Sequence, residues 1–235
     1  MTPVLEGRGV RKRYIGGDGV ALDVLSGVEI TVNAGEMIAI VGESGSGKST
    51  LLHILGGLDR PTGGDVLLGG RTLAGRDDEE IAEVRNRAVG FVFQFHHLLR
   101  EFSALENVAL PMRIGGASGA DSTARARELL DRVGLGARLH HRPSELSGGE
   151  QQRAAVARAL SARPAVVLAD EPSGNLDLAN GERLHDLLTE VVRDLGVGMI
   201  VVTHNRSLAD RAHAVYQLRE GKLSVVAAGG GPGAV

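Results

Sequence analysis

Residues 37–49 read MIAIVGESGSGKS, and the fold is decided there. Met37–Val41 is a continuous apolar run closed by Gly42, the pattern of a strand buried on both faces of a parallel sheet. Leu51, Leu52, Ile54, Leu55 and Leu58 then recur at helical spacing. A Gly-rich loop therefore joins a buried strand to a helix. It fits G-x-x-x-x-G-K-[ST] through Gly42, Glu43, Ser44, Gly45, Ser46, Gly47, Lys48 and Ser49, with Thr50 next. Its glycines let backbone N–H groups turn toward phosphate oxygens, and the following helix adds its positive dipole end. In this pattern the lysine reaches the β- and γ-phosphates and the next hydroxyl binds Mg²⁺, roles that fall to Lys48 and Ser49. Lysine occurs only at positions 12, 48 and 222. At the chain's own residue frequencies the pattern arises by chance in roughly one such chain in 200.

Outward from this loop, residues 4–14 and 20–32 read as strands, and 89–93, 165–169 and 197–203 as further buried strands. Between 93 and 165 the spacing predicts helices over 104–114, 121–133 and 149–162, the last stopped by Pro164. A helical insert thus interrupts an α/β core. Residues 215–218 and 222–226 suit a terminal hairpin, and the tail 228–235, AAGGGPGAV from 227 on, is expected to be disordered. The acidic run 77–80 suits a helix start, where carboxylates complement the dipole. Arg8, Arg11, Lys12 and Arg13 read as a solvated strand face.

Composition narrows the function classes. The 235 residues are 43% hydrophobic and 23% charged, a globular balance. With 26 Lys and Arg against 29 Asp and Glu, the net charge is −3, and no nucleic acid partner is expected. The absence of cysteine excludes disulfides, thiolate metal sites and a Cys nucleophile. The longest uncharged runs, 88–99 and 223–235, have 12 and 13 residues, short of the about 18 a membrane helix needs. A cytoplasmic protein is expected, meeting any membrane through a partner.

Two further motifs carry chemistry. The strand 165–169 ends in Asp170 and Glu171; beside a phosphate loop the first carboxylate suits the Mg²⁺ shell and the second a general base for the attacking water. The stretch LSGGEQQR at 146–153 places Ser147, Gly148 and Gly149 before a helix. Ser147 reads as its cap, and the glycines offer N–H groups for a second anion site. His96-His97 and His140-His141 lack the spacing and companions of a metal site.

The loop, LSGGEQQR and the Asp170-Glu171 strand, in that order, resemble the nucleotide-binding subunits of ABC transporters across residues 4–226. The resemblance implies one nucleotide-binding domain of α/β class: a P-loop NTPase core (about 1–93 and 164–226) with a small antiparallel β subdomain and an inserted helical subdomain (about 94–163). It implies ATP and Mg²⁺ as ligands. Tyr14 corresponds to the aromatic that stacks on adenine, Gln94 to the glutamine that senses Mg²⁺ and the membrane partner, and His204 to the γ-phosphate histidine. Ser147, Gly148, Gly149 and Asp177 would complete the ATP site of a second copy in trans, so that ATP closes a homodimer on two integral membrane subunits.

A finer resemblance, in residues 91–99, 104–107, 141–146 and 174–177, is to the branch that serves lipoprotein release, MacB-type efflux and FtsE-type cell division. QFHHLL at 94–99 and HRPSE at 141–145 favour the lipoprotein-releasing group. Glu43, Ser173 and Asn205 depart from the family's usual small residue, Thr and Asp. Phe95, His96, His97, Leu98 and Leu99 read either as core or as a groove for a cytoplasmic helix of the membrane subunit.

Overall fold

The computed structural model describes residues 3–17 and 19–228; from residue 229 onward the tail expected to be disordered lies outside them. In chain order the elements are β1 (Pro3–Ile15), β2 (Ala21–Asn33), β3 (Met37–Val41), α1 (Lys48–Leu55), β4 (Gly63–Leu68), β5 (Arg71–Thr72), α2 (Asp78–Ala88) and β6 (Val89–Phe93). There follow α3 (Ala104–Ile114), α4 (Gly119–Arg132), α5 (Gly148–Leu160), β7 (Val166–Asp170), α6 (Leu178–Leu195), β8 (Gly198–Val202), α7 (Arg206–Ala209), β9 (Ala214–Arg219) and β10 (Lys222–Ala228).

A six-stranded sheet has the order β10-β9-β3-β8-β7-β6. Its strands are parallel from β9 to β6, and only β10 runs against its neighbour. Side chains alternate across a strand, and β3 uses both faces. Met37 and Ala39 join a core shared with α3, α4, α5 and α6. Ile38 and Ile40 join a second core shared with α1 and with an antiparallel sheet of order β2-β1-β4-β5. Cover on both faces explains the unbroken apolar run, and each fully buried Ile contributes about 1.5–3 kcal/mol.

Local chemistry sets the helix starts. Asp77 and Glu80 form a reciprocal capping box at α2, as do Ser103 and Glu106 at α3. The short β4 and β5, which have no counterpart in the sequence reading, carry two glycines and only two residues, respectively. Lys12 corrects the reading of a solvated basic face: it is 8% exposed, and its Nζ donates to Asp59 Oδ1 and to the Arg60 carbonyl, each at 2.7 Å. Among the described residues no helix is long and apolar enough to cross a membrane.

The segment from Leu99 to Ser103 is held by one buried amide. Asn107 Oδ1 accepts from the Leu99 N–H at 2.7 Å, and its Nδ2 lies 3.0–3.1 Å from the carbonyls of Leu99, Phe102 and Ser103. Asn107 is fully buried, so water does not replace a lost partner. Asn107→Ala is expected to lower the unfolding free energy by about 2–4 kcal/mol, measured by urea denaturation; an unchanged midpoint would show that the segment does not depend on this side chain.

Candidate functional site

The C-terminal ends of β3, β8, β7 and β6 lie along one edge of the parallel sheet, where open α/β folds bind ligands. The residues singled out above follow these strands: Gly42 after β3, His204 after β8 and Thr203, Glu171 after β7 and Gln94 after β6. The parallel register thus brings four separate motifs to one line.

The loop after β3 is built for close approach. Gly42 and Gly47 have φ of 157° and 97°. A Cβ on Gly42 would lie 2.5 Å from the Leu218 carbonyl oxygen, and one on Gly47 2.8 Å from Val24 Cγ1. The Lys48 ammonium bends back over the loop, donating to the carbonyls of Gly42 and Glu43 at 2.8 Å each. Ser46 Oγ is buried without a partner. The N-cap of α1 is Gly47, and no side chain caps that helix. Helices α2 to α6 each begin with a side-chain oxygen accepting from their first turn. The first-turn N–H groups of α1 are therefore left for an anion. A cavity of about 490 Å³ opens beside Glu43, Ser44, Gly45 and Ser46. Another, of about 720 Å³, lies at the opposite end of α1 near Leu58 and Ile81 and contains none of the motif residues.

Glu171 sits in a left-handed backbone conformation, φ 44°, which costs a non-glycine residue about 1–3 kcal/mol. Its N–H donates to the Val202 carbonyl at 2.9 Å, continuing the sheet past β7. Its carboxylate turns to His204, with Oε1 2.9 Å from Nδ1 and Oε2 accepting from the His204 N–H at 3.3 Å. The Glu171 side chain is largely buried, whereas that of His204 is 76% exposed. The two residues that sequence placed 33 positions apart are thus a contacting pair.

Tyr14 stands at the end of β1, partly exposed. Its hydroxyl donates to Asp59 Oδ2 at 2.9 Å, and Lys12 Nζ lies 4.9 Å from its ring centroid. Burial, with the Asp59 hydrogen bond, holds the phenol above its usual range. Gln94 is held by Asn175, a partner that local sequence does not reveal: Gln94 Nε2 donates to Asn175 Oδ1 at 3.2 Å, and Asn175 Nδ2 to the Gln94 carbonyl at 3.1 Å.

Ser147, Gly148 and Gly149 open α5, away from the loop in sequence. Ser147 Oγ accepts from the Glu150 N–H at 3.3 Å, while the Ser147 N–H and hydroxyl each donate to the Glu150 carboxylate at 2.8 Å and hold that carboxyl below the usual range. Asp177 caps α6, its carboxylate accepting from Asn180 N at 2.9 Å; that bond lowers its pKa. Within one chain both are cap residues. Helix α5 is also tied to the segment after Gln94. Arg158 donates to the carbonyls of His96 and His97 at 2.7 and 2.6 Å, and Gln152 to that of Phe93 at 3.1 Å. Leu98 is half-buried and packs on the main core, which favours the core reading for it, while Phe95 and Leu99 are exposed.

A phosphate loop without its own cap, beside a glutamate–histidine pair on a parallel sheet edge, defines a P-loop ATPase. The comparisons with known proteins narrow the class. The family model described as ABC transporter matches residues 25–174, and the chain belongs to that family as an ATP-hydrolysing subunit. It is 53% identical over 222 residues to the "Lipoprotein-releasing system ATP-binding protein LolD" of Alcanivorax borkumensis, covering 94% of this chain and 97% of that protein. Proteins of the same name from Geobacter metallireducens and Nitratidesulfovibrio vulgaris are 51% and 52% identical, covering 95% and 94% of this chain and 99% and 95% of theirs. Among solved structures, the ATP-binding cassette MJ0796, as a dimer in a post-hydrolysis state bound to ADP and Pi, is similar with a TM-score of 0.85 and 36% identity, over 95% of this chain and 99% of that one. A second dimeric structure of MJ0796, named as a bacterial ABC transporter cassette, also gives 0.85, at 38% identity over 94% of this chain and 96% of that one.

The Gly42 contacts make a direct test. Gly42→Ala drives a methyl group into the Leu218 carbonyl and toward Ser46 Oγ, 3.0 Å away, so the loop must shift. ATP binding by the purified chain is expected to weaken by about tenfold or more with an unchanged circular dichroism spectrum. Binding at wild-type strength would mean that the loop geometry is not what holds the phosphates.

Proposed function

We propose that this chain powers the release of lipoproteins from the bacterial inner membrane, as the peripheral ATPase on the cytoplasmic side of a complex with two integral membrane subunits of the LolC/LolE kind. The near full-length identity to three proteins named for that system supports this reading over MacB-type efflux or FtsE-type cell division. The observation that carries the chemistry is the Glu171–His204 pair at 2.9 Å, on the same sheet edge as the phosphate loop.

In this reading the N–H groups of residues 43–50 take the phosphates, and the Lys48 ammonium exchanges the Gly42 and Glu43 carbonyls for the β- and γ-phosphate oxygens. Tyr14 offers adenine the ring face that Lys12 does not cover. The Ser49 hydroxyl, Gln94 amide oxygen and Asp170 carboxylate form an all-oxygen donor set that fits Mg²⁺. When bound, Mg²⁺ neutralises charge on the phosphates. Glu171 accepts the proton of the attacking water as its oxygen bonds to the γ-phosphorus and the bond to the ADP oxygen breaks. His204, facing outward, holds the carboxylate by Nδ1 and is free to turn Nε2 to the γ-phosphate.

ATP glues two copies head to tail. Ser147, Gly148, Gly149 and Asp177 of one copy face the γ-phosphate held by the other, and charge-assisted hydrogen bonds of about 1.5–3 kcal/mol each favour the closed dimer. MJ0796, the similar cassette, is dimeric in both structures. The exposed Phe95 and Leu99 beside Gln94 give the membrane subunit an apolar contact, so that nucleotide state and partner share one segment.

Glu171→Gln is expected to bind ATP and slow its hydrolysis by about 10²–10⁴-fold, accumulating an ATP-bound dimer by size-exclusion chromatography. In proteoliposomes with its membrane subunits, the same variant should abolish ATP-dependent transfer of a lipoprotein to a soluble acceptor. Wild-type turnover would remove Glu171 from the mechanism, and normal ATPase coupling without lipoprotein transfer would redirect the assignment to another substrate.

Completion in trans has its own signature. Lys48→Ala and Ser147→Arg each disable both sites of a homodimer, but a mixed dimer keeps one site with wild-type Lys48 and Ser147. Mixing the two inactive variants is expected to restore part of the ATPase activity. Demonstrated heterodimers without recovery would place all required groups in one chain or require both sites to fire together.

A further inference from the structure

Two residues past Glu171, Ser173 bonds a buried imidazole that the proposed mechanism does not use. His185, on α6, is fully buried. Its Nε2 lies 2.9 Å from Ser173 Oγ, and its Nδ1 faces Glu182 Oε1 at 3.5 Å. Glu182 in turn accepts from Arg211 at 2.8 Å. Arg211 reaches Asp186 with its other arm. Ser173 follows Glu171 by two residues. The Ser173–His185 bond therefore ties the loop that carries Glu171 to α6.

Such a placement costs stability. A buried imidazole loses hydration, and Nδ1, at 3.5 Å from its nearest carboxylate oxygen, makes no good hydrogen bond. An apolar side chain at this point of α6, among Leu184, Leu187 and Leu188, would pack without that cost. What the imidazole adds is direction. With the Glu182 carboxylate drawing the ring proton to Nδ1, Nε2 is the acceptor and the Ser173 hydroxyl the donor. This anchors the turn in which Gly174 N donates to the Glu171 carbonyl at 3.0 Å and Leu176 N to that of Ser173 at 3.1 Å. Glu171 is left-handed at φ 44°, and such a backbone persists only when its surroundings over-determine it.

We propose that His185 is a positioning residue for ATP hydrolysis: by holding the Ser173 hydroxyl from α6, it fixes the turn that carries Glu171. Its action passes through Ser173; it touches neither nucleotide nor water. The proposal rests on the general-base reading of Glu171.

The test is steady-state ATPase kinetics of the full chain with Ser173→Ala, Ser173→Thr, His185→Phe and His185→Gln, alongside Glu171→Gln. Ser173→Ala and His185→Phe are each expected to lower kcat by about tenfold through misplacement of the base, with KM for ATP changed by less than about twofold. The double variant should be no worse than either single one, the mark of groups acting as one unit. Ser173→Thr, which keeps the hydroxyl, and His185→Gln, whose amide oxygen can replace Nε2, should retain most of the activity. Wild-type kcat in Ser173→Ala, or losses that multiply in the double variant, overturns the proposal. If His185→Phe does not fold, the Ser173 pair decides, because that half-buried position loses only a hydroxyl. Normal turnover in Glu171→Gln defeats the general-base reading itself, whereas an inactive Glu171→Gln with a fully active Ser173→Ala defeats only the positioning role.

Discussion

Everything chemical in this protein depends on the parallel pairing of β3, β8, β7 and β6. Ile40 pairs with Val202, Val202 with Asp170 and Asp170 with Phe93. This register lines up four strand ends, and the next residues are the phosphate loop, the histidine, the glutamate and the glutamine. A slip of one residue would send each strand's side chains to the wrong face, moving Ile38 and Ile40 into the helical core and Met37 and Ala39 into the other. Burial on both faces therefore protects the alignment of the site. The hydrophobic effect specifies where catalytic groups stand although none of them is apolar.

The helix termini divide the labour. Helix α1 begins without a side-chain cap, and its N–H groups remain for phosphate. Helices α5 and α6 begin with Ser147 and Asp177, whose own oxygens close the first turn. Capping gives those residues a structural duty in the single chain, and a role across a dimer would draw on the same oxygens and N–H groups. Strain is placed with equal economy. The left-handed Glu171 is held by the Val202 carbonyl, by the His204 contact and by the turn that Ser173 anchors.

Helix α5 links the two ends of the proposed cycle. Its N-terminus carries Ser147 to Gly149, and farther along Gln152 and Arg158 grip the carbonyls of Phe93, His96 and His97. Movement of the segment after Gln94 is coupled to α5, because Arg158 donates to the carbonyls of His96 and His97 and Gln152 to that of Phe93 just before Gln94. In the proposed complex, a partner pressing on Phe95 and Leu99 would displace the helix that faces the second nucleotide.

Much of this was legible in residues 37–49, because a buried strand and a glycine loop are local. Four to six apolar side chains in a row and glycines at fixed offsets restrict the backbone without help from distant residues, and β3 and β6 have the bounds read from sequence. The cap Ser147 and the acidic helix start at 77–80 were legible for the same reason, since a capping box spans four residues; the Ser103 cap of α3 went unread. The sequence alone left β4 and β5 unread, because two glycines and a two-residue strand carry no periodicity. It misjudged Lys12, whose burial is made by Asp59 and the Arg60 carbonyl from 47 and 48 residues away. Only the tertiary structure joined Glu171 to His204, Gln94 to Asn175 and Ser173 to His185. These partners are set by sheet register and by the packing of α6, which are properties of the whole core and are not written in any local stretch.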